Sequence, residues 1–294
     1  MSTVKVGIIQ QQCTADQADN ITNSLAGISV CAEAGAQLVV LQELHTSLYF
    51  CQTQKIANYD LAIPIPGPTT DQFAKAAQEH EVVIVASFYE KRAPGLYHNT
   101  AVVFEKDGSI AGIYRKMHIP DDPNYYEKFH FAPGDTGFKP IDTSIGKLGV
   151  LVCWDQWFPE AARIMALNGA DVLIYPTAIG WDFNDSINEQ DIQIDAWKTT
   201  IRSHAITNGI PVIAVNRVGH EADPSVQTKG IQFWGNSLIT EANGKTIFEA
   251  SSEQEAITVI EIDAHKAEKV RKIWPFFRDR RVDAYGDIMK RFVD

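Results

Sequence analysis

Short apolar runs recur along the chain in a fixed order, and that order repeats. Gly35-Ala36-Gln37-Leu38-Val39-Val40-Leu41-Gln42-Glu43 is matched by Gly169-Ala170-Asp171-Val172-Leu173-Ile174-Tyr175-Pro176-Thr177. Each follows a helical stretch. Each is apolar almost throughout, which predicts a strand buried on both faces. A helix and a second buried strand come next, Val82–Ser87 in the first half and Pro211–Asn216 in the second. A hairpin then follows in each half, at Asn99–Gly108 and at Asn236–Gly244. Their turns are Asp107-Gly108 and Asn243-Gly244, pairs that tolerate positive φ. The separation of Gly35 from Gly169 is almost that of Asn99 from Asn236 and of Gly108 from Gly244. Two similar α–β halves are therefore expected. Their simplest closure packs two sheets face to face with helices outside, a four-layer α–β–β–α sandwich with an internal pseudo-two-fold axis.

No Gly/Ser/Pro-rich linker separates the halves, and the tract from Lys116 to Pro140 is rich in aromatics. Residues 1–294 are thus expected to form one domain. The segment after Ile273, about 274–294, has no counterpart in the repeat. Its aromatic and arginine content is that of an interface, so it is expected to pack on another subunit.

Composition narrows the function. The chain has 294 residues with a formal net charge of −11. An acidic surface argues against nucleic acid, which needs a basic face, and is compatible with a cationic small molecule. No stretch of 18 apolar residues predicts a membrane span. The N-terminus runs directly into a strand without the layout of a signal peptide. Cys13, Cys31, Cys51 and Cys153 show no CxxC spacing, the pattern of reduced thiols in a cytoplasmic protein. His118 and His130 lack HxxxH or HExxH spacing, so no metal is expected.

The candidate chemistry centres on Cys153. It ends the apolar run Lys147–Val152, and Trp154-Asp155-Gln156-Trp157-Phe158-Pro159-Glu160 begins a helix that ends near Leu167. A thiol at a helix N-terminus is favoured as thiolate, the form that attacks carbonyls. Most lone cysteines are small buried hydrophobes, so the neighbours decide. Glu43 ends a buried strand, where α/β proteins place ligand sites. Lys116 follows the strand Ile110–Arg115, and Glu127 lies in Tyr125-Tyr126-Glu127-Lys128-Phe129. A cysteine needs a base for its proton, and its tetrahedral intermediate needs a cation for the oxyanion. Glu43, Lys116 and Cys153 supply these parts; Glu127 either orients the lysine or positions substrate and water.

With these residues in place the chain resembles the nitrilase superfamily of carbon–nitrogen hydrolases, and within it the N-carbamoylputrescine amidases. The matching pieces are Leu41-Gln42-Glu43-Leu44 with Tyr49-Phe50-Cys51; Tyr114–Pro120; Tyr125–Phe129; Phe131–Asp135; Val152–Glu160; and Tyr175–Gly180. They span nearly the whole chain. The resemblance implies the α–β–β–α sandwich, Glu43 as general base, Lys116 as the lysine, Cys153 as nucleophile and Glu127 as second glutamate. It also implies no metal or organic cofactor, and homo-oligomers built from dimers.

Relatives that hydrolyse carbamoyl amino acids resemble one another in placing arginines just after the cysteine. Here Trp154, Asp155, Gln156 and Trp157 follow, and the first cation is Arg163. That disfavours an anionic substrate such as carbamoyl-β-alanine. The loop Thr177-Ala178-Ile179-Gly180-Trp181-Asp182 is similar to the subfamily's in carrying an acid after the glycine. Asp182 is therefore the expected partner of a distal ammonium, with Glu189 and Asp155 as alternatives. Tyr49, Tyr125 and Trp154 are expected near the substrate. The expected activity is hydrolysis of N-carbamoylputrescine to putrescine, ammonia and carbon dioxide. The alternatives are an omega-amidase or another aliphatic or carbamoyl-amino-acid amidohydrolase of the same superfamily. A silent binding module is a further class, but it should have lost one of the three catalytic residues.

Overall fold

The computed structural model describes residues 3–294. The elements run β1 (Thr3–Gln10), α1 (Gln17–Glu33), β2 (Leu38–Leu41), α2 (Pro68–His80), β3 (Val83–Ala93), β4 (Leu96–Phe104), β5 (Ile110–Arg115) and α3 (Glu127–His130). They continue with β6 (Ile141–Thr143), β7 (Gly146–Val150), α4 (Pro159–Leu167), β8 (Val172–Pro176), β9 (Gly180–Asp182), α5 (Ile187–Asn208), β10 (Val212–Val215) and β11 (Val218–Glu221). The last are β12 (Ile231–Trp234), β13 (Leu238–Thr240), β14 (Thr246–Glu249), β15 (Ala256–Asp263) and α6 (Ala264–Ile273).

Two six-stranded sheets have the orders β15-β1-β2-β3-β4-β5 and β6-β7-β8-β10-β13-β14. Position by position they agree in direction. The second, third and fourth strands are parallel, and the flanking pairs are antiparallel. This is the predicted duplication, with β2 matching β8, β3 matching β10 and β4 matching β13.

Strand alternation explains the layers. Val6, Ile8, Val40, Val85 and Val103 point into one core shared with Val150, Leu173, Ile213 and Leu238 of the other sheet. The alternate residues Ile9, Val39, Leu41, Ile84, Val102 and Phe104 pack instead against Ile28 of α1 and Phe73, Ala76 and Ala77 of α2. Successive side chains of one strand thus feed two different cores, which is why these runs carry no polar positions. On the far side, Ala161 and Met165 of α4 and Trp197, Ile201 and Ala205 of α5 cover the second sheet.

Two features differ from the sequence expectation. A third sheet, β11-β12-β9, stands beside the sandwich. The helix after Cys153 is also split: Cys153–Trp157 is a 3-10 helix and α4 begins only at Pro159. Proline is preorganised for a first helical turn but disfavours helical backbone in the residue before it, so Phe158 is extended and the break falls there.

Candidate active site

The parallel strands of both sheets bring their C-terminal ends together. Glu43, just past β2, donates its backbone N–H to the carbonyl of Thr177, just past β8, at 3.3 Å. The two ends of the repeat thus face one another. Arg217, after β10, fastens this junction. It is fully buried and donates to the carbonyls of Glu43 (3.1 Å), Leu44 (2.8 Å) and Ser47 (2.9 Å), and it pairs with Glu221 at 2.5 Å. The other carboxylate oxygen of Glu221 accepts from the Tyr49 backbone N–H at 2.6 Å.

Lys116 is fully buried between two carboxylates. Its Nζ lies 2.8 Å from Glu43 Oε1 and 2.6 Å from Glu127 Oε2. Asn99, on the neighbouring strand β4, donates to the same Glu43 Oε1 at 2.6 Å, and its own backbone carbonyl accepts from the Lys116 N–H. Tyr49 donates to Glu127 Oε1 at 2.6 Å. Both oxygens of Glu127 are therefore engaged. Glu43 Oε2 has no partner, although it is buried. The ammonium makes two hydrogen bonds where three are available, so one donor remains. An unpaired buried carboxylate oxygen and an unused ammonium N–H are costly as structure and useful as chemistry.

Cys153 sits at the sharp turn after β7 with φ 41°, and its Sγ lies 3.7 Å from the carbonyl of Ala178. The expectation of a helix-stabilised thiolate is overturned. Burial, and next the Glu43 carboxylate, push the thiol well above its ordinary value, and the lysine offsets this only in part. A five-residue 3-10 helix has too small a dipole to reverse desolvation beside two carboxylates. The thiol is neutral at rest and needs a base. For Lys116, burial lowers the pKa, but the Glu127 and Glu43 carboxylates outweigh it, so the ammonium stays charged. For Glu127, burial raises the carboxyl to about 7 against the pull of Lys116.

A cavity of about 390 Å³ opens over these groups, lined by Cys153 and Glu127 with Trp154, Trp157, Trp234, Tyr125, Ile179, Gly180 and Ala178. Asp122, Pro120, Ile192, Gln193 and Ala196 complete it. Trp154 and Tyr125 thus lie where a substrate would. Tyr49 does not line the cavity; it is buried behind Glu127 and acts on that carboxylate. Asp182 does not line it either. Its Oδ1 accepts from Asn184 and its Oδ2 from Asn124. Asp155 is a buried structural acid, bound to Tyr114, His118 and the Val152 N–H. Glu189 caps α5 through Ser186. Arg163 donates to the Thr207 carbonyl, outside the cavity. Sequence reasoning missed Asn99, Arg217, Asp122 and the α5 residues. Asn99 lies within β4 and Arg217 in the short link between β10 and β11, where a single polar residue carries no periodic signal of its own.

Among the described residues no helix is long and apolar enough to cross a membrane, and no group of three or more His, Cys, Asp or Glu is placed to hold a metal ion.

Comparison with known proteins agrees with this geometry. Residues 5–272 match the family model described as carbon-nitrogen hydrolase. An N-carbamoylputrescine amidase of Oryza sativa subsp. japonica is 42% identical over 97% of this chain and 94% of its own. A citrullinase of Francisella tularensis is 38% identical over 99% of this chain and 100% of its own. The crystal structure of a carbon-nitrogen hydrolase from Helicobacter pylori G27 superposes with a TM-score of 0.96 at 51% identity, covering 99% of this chain and 100% of that one. With a family match over most of its length, the chain belongs to the carbon–nitrogen hydrolases of the nitrilase superfamily and is an amidohydrolase.

Proposed function

We propose that the enzyme hydrolyses N-carbamoylputrescine to putrescine, ammonia and carbon dioxide through a thiocarbamate on Cys153. The cavity carries the reading. It has a reactive floor at Cys153 and Glu127, a wall of tryptophans and aliphatic groups, and no lysine or arginine in its lining among the described residues. A ureido group on an apolar chain with a distal cation suits such a pocket. A distal carboxylate would lose water without gaining a counter-charge. The activity for which the rice relative is named supports the same substrate.

In this reading Glu43 Oε2 takes the thiol proton as Sγ attacks the ureido carbonyl. The oxyanion is held by the free N–H of Lys116 and by the Trp154 backbone N–H. The intermediate collapses, Glu43 returns the proton to the leaving nitrogen, and ammonia departs. Glu43 then deprotonates water, which attacks the thiocarbamate and releases the thiol. The carbamic acid so formed loses carbon dioxide to give putrescine. Glu127, gripped by Tyr49, holds the lysine in place.

Hydrolysis of citrulline is the second reading, favoured by the Francisella relative. Citrulline shares the ureido group but adds a carboxylate. Ammonia release from N-carbamoylputrescine, citrulline, carbamoyl-β-alanine, glutaramate and a plain nitrile separates the readings. The highest kcat/KM is expected for N-carbamoylputrescine; a preference for any of the others overturns the assignment.

A further inference from the structure

We infer that Asp122 determines the enzyme's preference for a distal cation, and that Asp182 acts only by holding the loop that carries it. The inference rests on the proposed N-carbamoylputrescine reading and deepens it.

Two carboxylates line the cavity, Glu127 and Asp122. Those of Glu127 are consumed by Lys116 and Tyr49. The Asp122 carboxylate accepts no hydrogen bond and meets no cation among the described residues, whereas its backbone is fixed by the bridge to Tyr125. The cavity also has a direction. Cys153, Ala178 and Trp234 at one end are buried, and Asp122 and Ile192 are exposed. A ureido carbon bonded to Sγ therefore sends its chain along Trp154, Trp157, Ile179 and Ala196 toward the rim. The tryptophan faces tolerate a passing ammonium, but they supply no full charge. Asp122 is the free anion at the end of that path.

The loop that presents it is tied to β9. Asn124, in a left-handed conformation at φ 67°, donates to Asp182 Oδ2 at 3.1 Å. The Tyr125 hydroxyl donates to the Gly180 carbonyl at 3.2 Å and lies 3.0 Å from the Gly180 nitrogen. Asp182 is in this way a positioning residue, one hydrogen bond removed from the acid that meets the substrate.

The test is steady-state kinetics on N-carbamoylputrescine and on butylurea, its uncharged analogue, with wild type, Asp122→Asn, Asp122→Glu and Asp182→Asn. Asp122→Asn is expected to raise KM for the cation about five- to tenfold, a partly exposed charge–charge contact, and to leave kcat and butylurea turnover near wild type. Added salt should raise KM for the cation in wild type but not in that variant. Asp122→Glu should restore most of the loss, because it restores the charge. Asp182→Asn should keep the salt dependence, because Asp122 is still present. The inference is overturned if Asp122→Asn keeps the wild-type preference for cation over butylurea while Asp182→Asn loses it. If wild type itself shows no such preference, the substrate reading fails and the role of Asp122 fails with it.

Discussion

At the scale of single residues, the site is organised around one lysine shared by two buried glutamates. Removing the proposed nucleophile should leave this frame intact, since alanine fits a turn after a strand. Cys153→Ala is expected to fold normally and to show no turnover, and intact-protein mass spectrometry with a slow substrate should find an adduct on wild type alone. Residual turnover by the variant would exclude the covalent route. Glu43→Gln and Lys116→Ala should each lower kcat by roughly 10²-fold or more. Lys116→Arg should not rescue, because a planar guanidinium cannot satisfy two carboxylates and an oxyanion from the space of one ammonium. The raised carboxyl of Glu127 sets a pH limit. Above about 7 the Glu127 carboxylate is charged and grips Lys116, and as pH falls through that value it takes up a proton. A neutral Glu127 loses its charge-assisted hold on the lysine, so kcat/KM should fall on the acid side with an apparent pKa near 7. Glu127→Gln should move that limb to lower pH in whatever activity remains; an unmoved limb would assign the titration elsewhere. What the sequence disclosed at this scale was identity and order. Cysteine, lysine and two glutamates at the ends of apolar runs were legible. The charge state of the thiol was not, because it depends on how many carboxylates the fold gathers around it.

At the scale of elements, strand ends do the positioning. Arg217 links the loop after β10 to the backbone of Glu43, Leu44 and Ser47, so it holds the proposed base through its main chain. Arg217→Met would strand Glu221 as a buried anion without a counter-charge and leave the Glu43 and Ser47 carbonyls without a donor. It should cost about 3 kcal/mol or more, read from urea unfolding midpoints, and kcat should fall with it. An unchanged midpoint would show that the junction is held by other contacts. The long apolar runs and the Asp-Gly and Asn-Gly turns made both large sheets readable, because burial on two faces forces a run with no polar gaps. The small third sheet was not readable. Its strands have three or four residues, and β9 pairs with β12 only because Gly180 lets the two backbones approach; a Cβ there would run into the main chain of Gln232.

At the scale of the whole molecule, one core serves both sheets, so residues 3–263 should unfold in a single transition with coincident fluorescence and far-UV circular dichroism. The segment after Ile273 behaves differently. Trp274, Phe276, Val282, Ile288, Met289 and Phe292 are exposed, and Phe277 is held between Arg163 and Arg271. So much exposed apolar surface in about twenty residues fits the expected subunit contact. Truncation after Ile273 should reduce the oligomer size seen by sedimentation; an unchanged size would move the interface elsewhere.

The pairing of β15 with β1, residue for residue from Thr3–Asp263 to Gln10–Ala256, means that the last strand of the chain is also the border of the first sheet. A ribosome must therefore release nearly the whole chain before that border is closed. Until then β1 offers a row of unpaired amides and carbonyls to any extended segment nearby. Chains that end before Ala256 should thus be found as sheet-rich aggregates, whereas those that end just after Ile273 should stay dispersed.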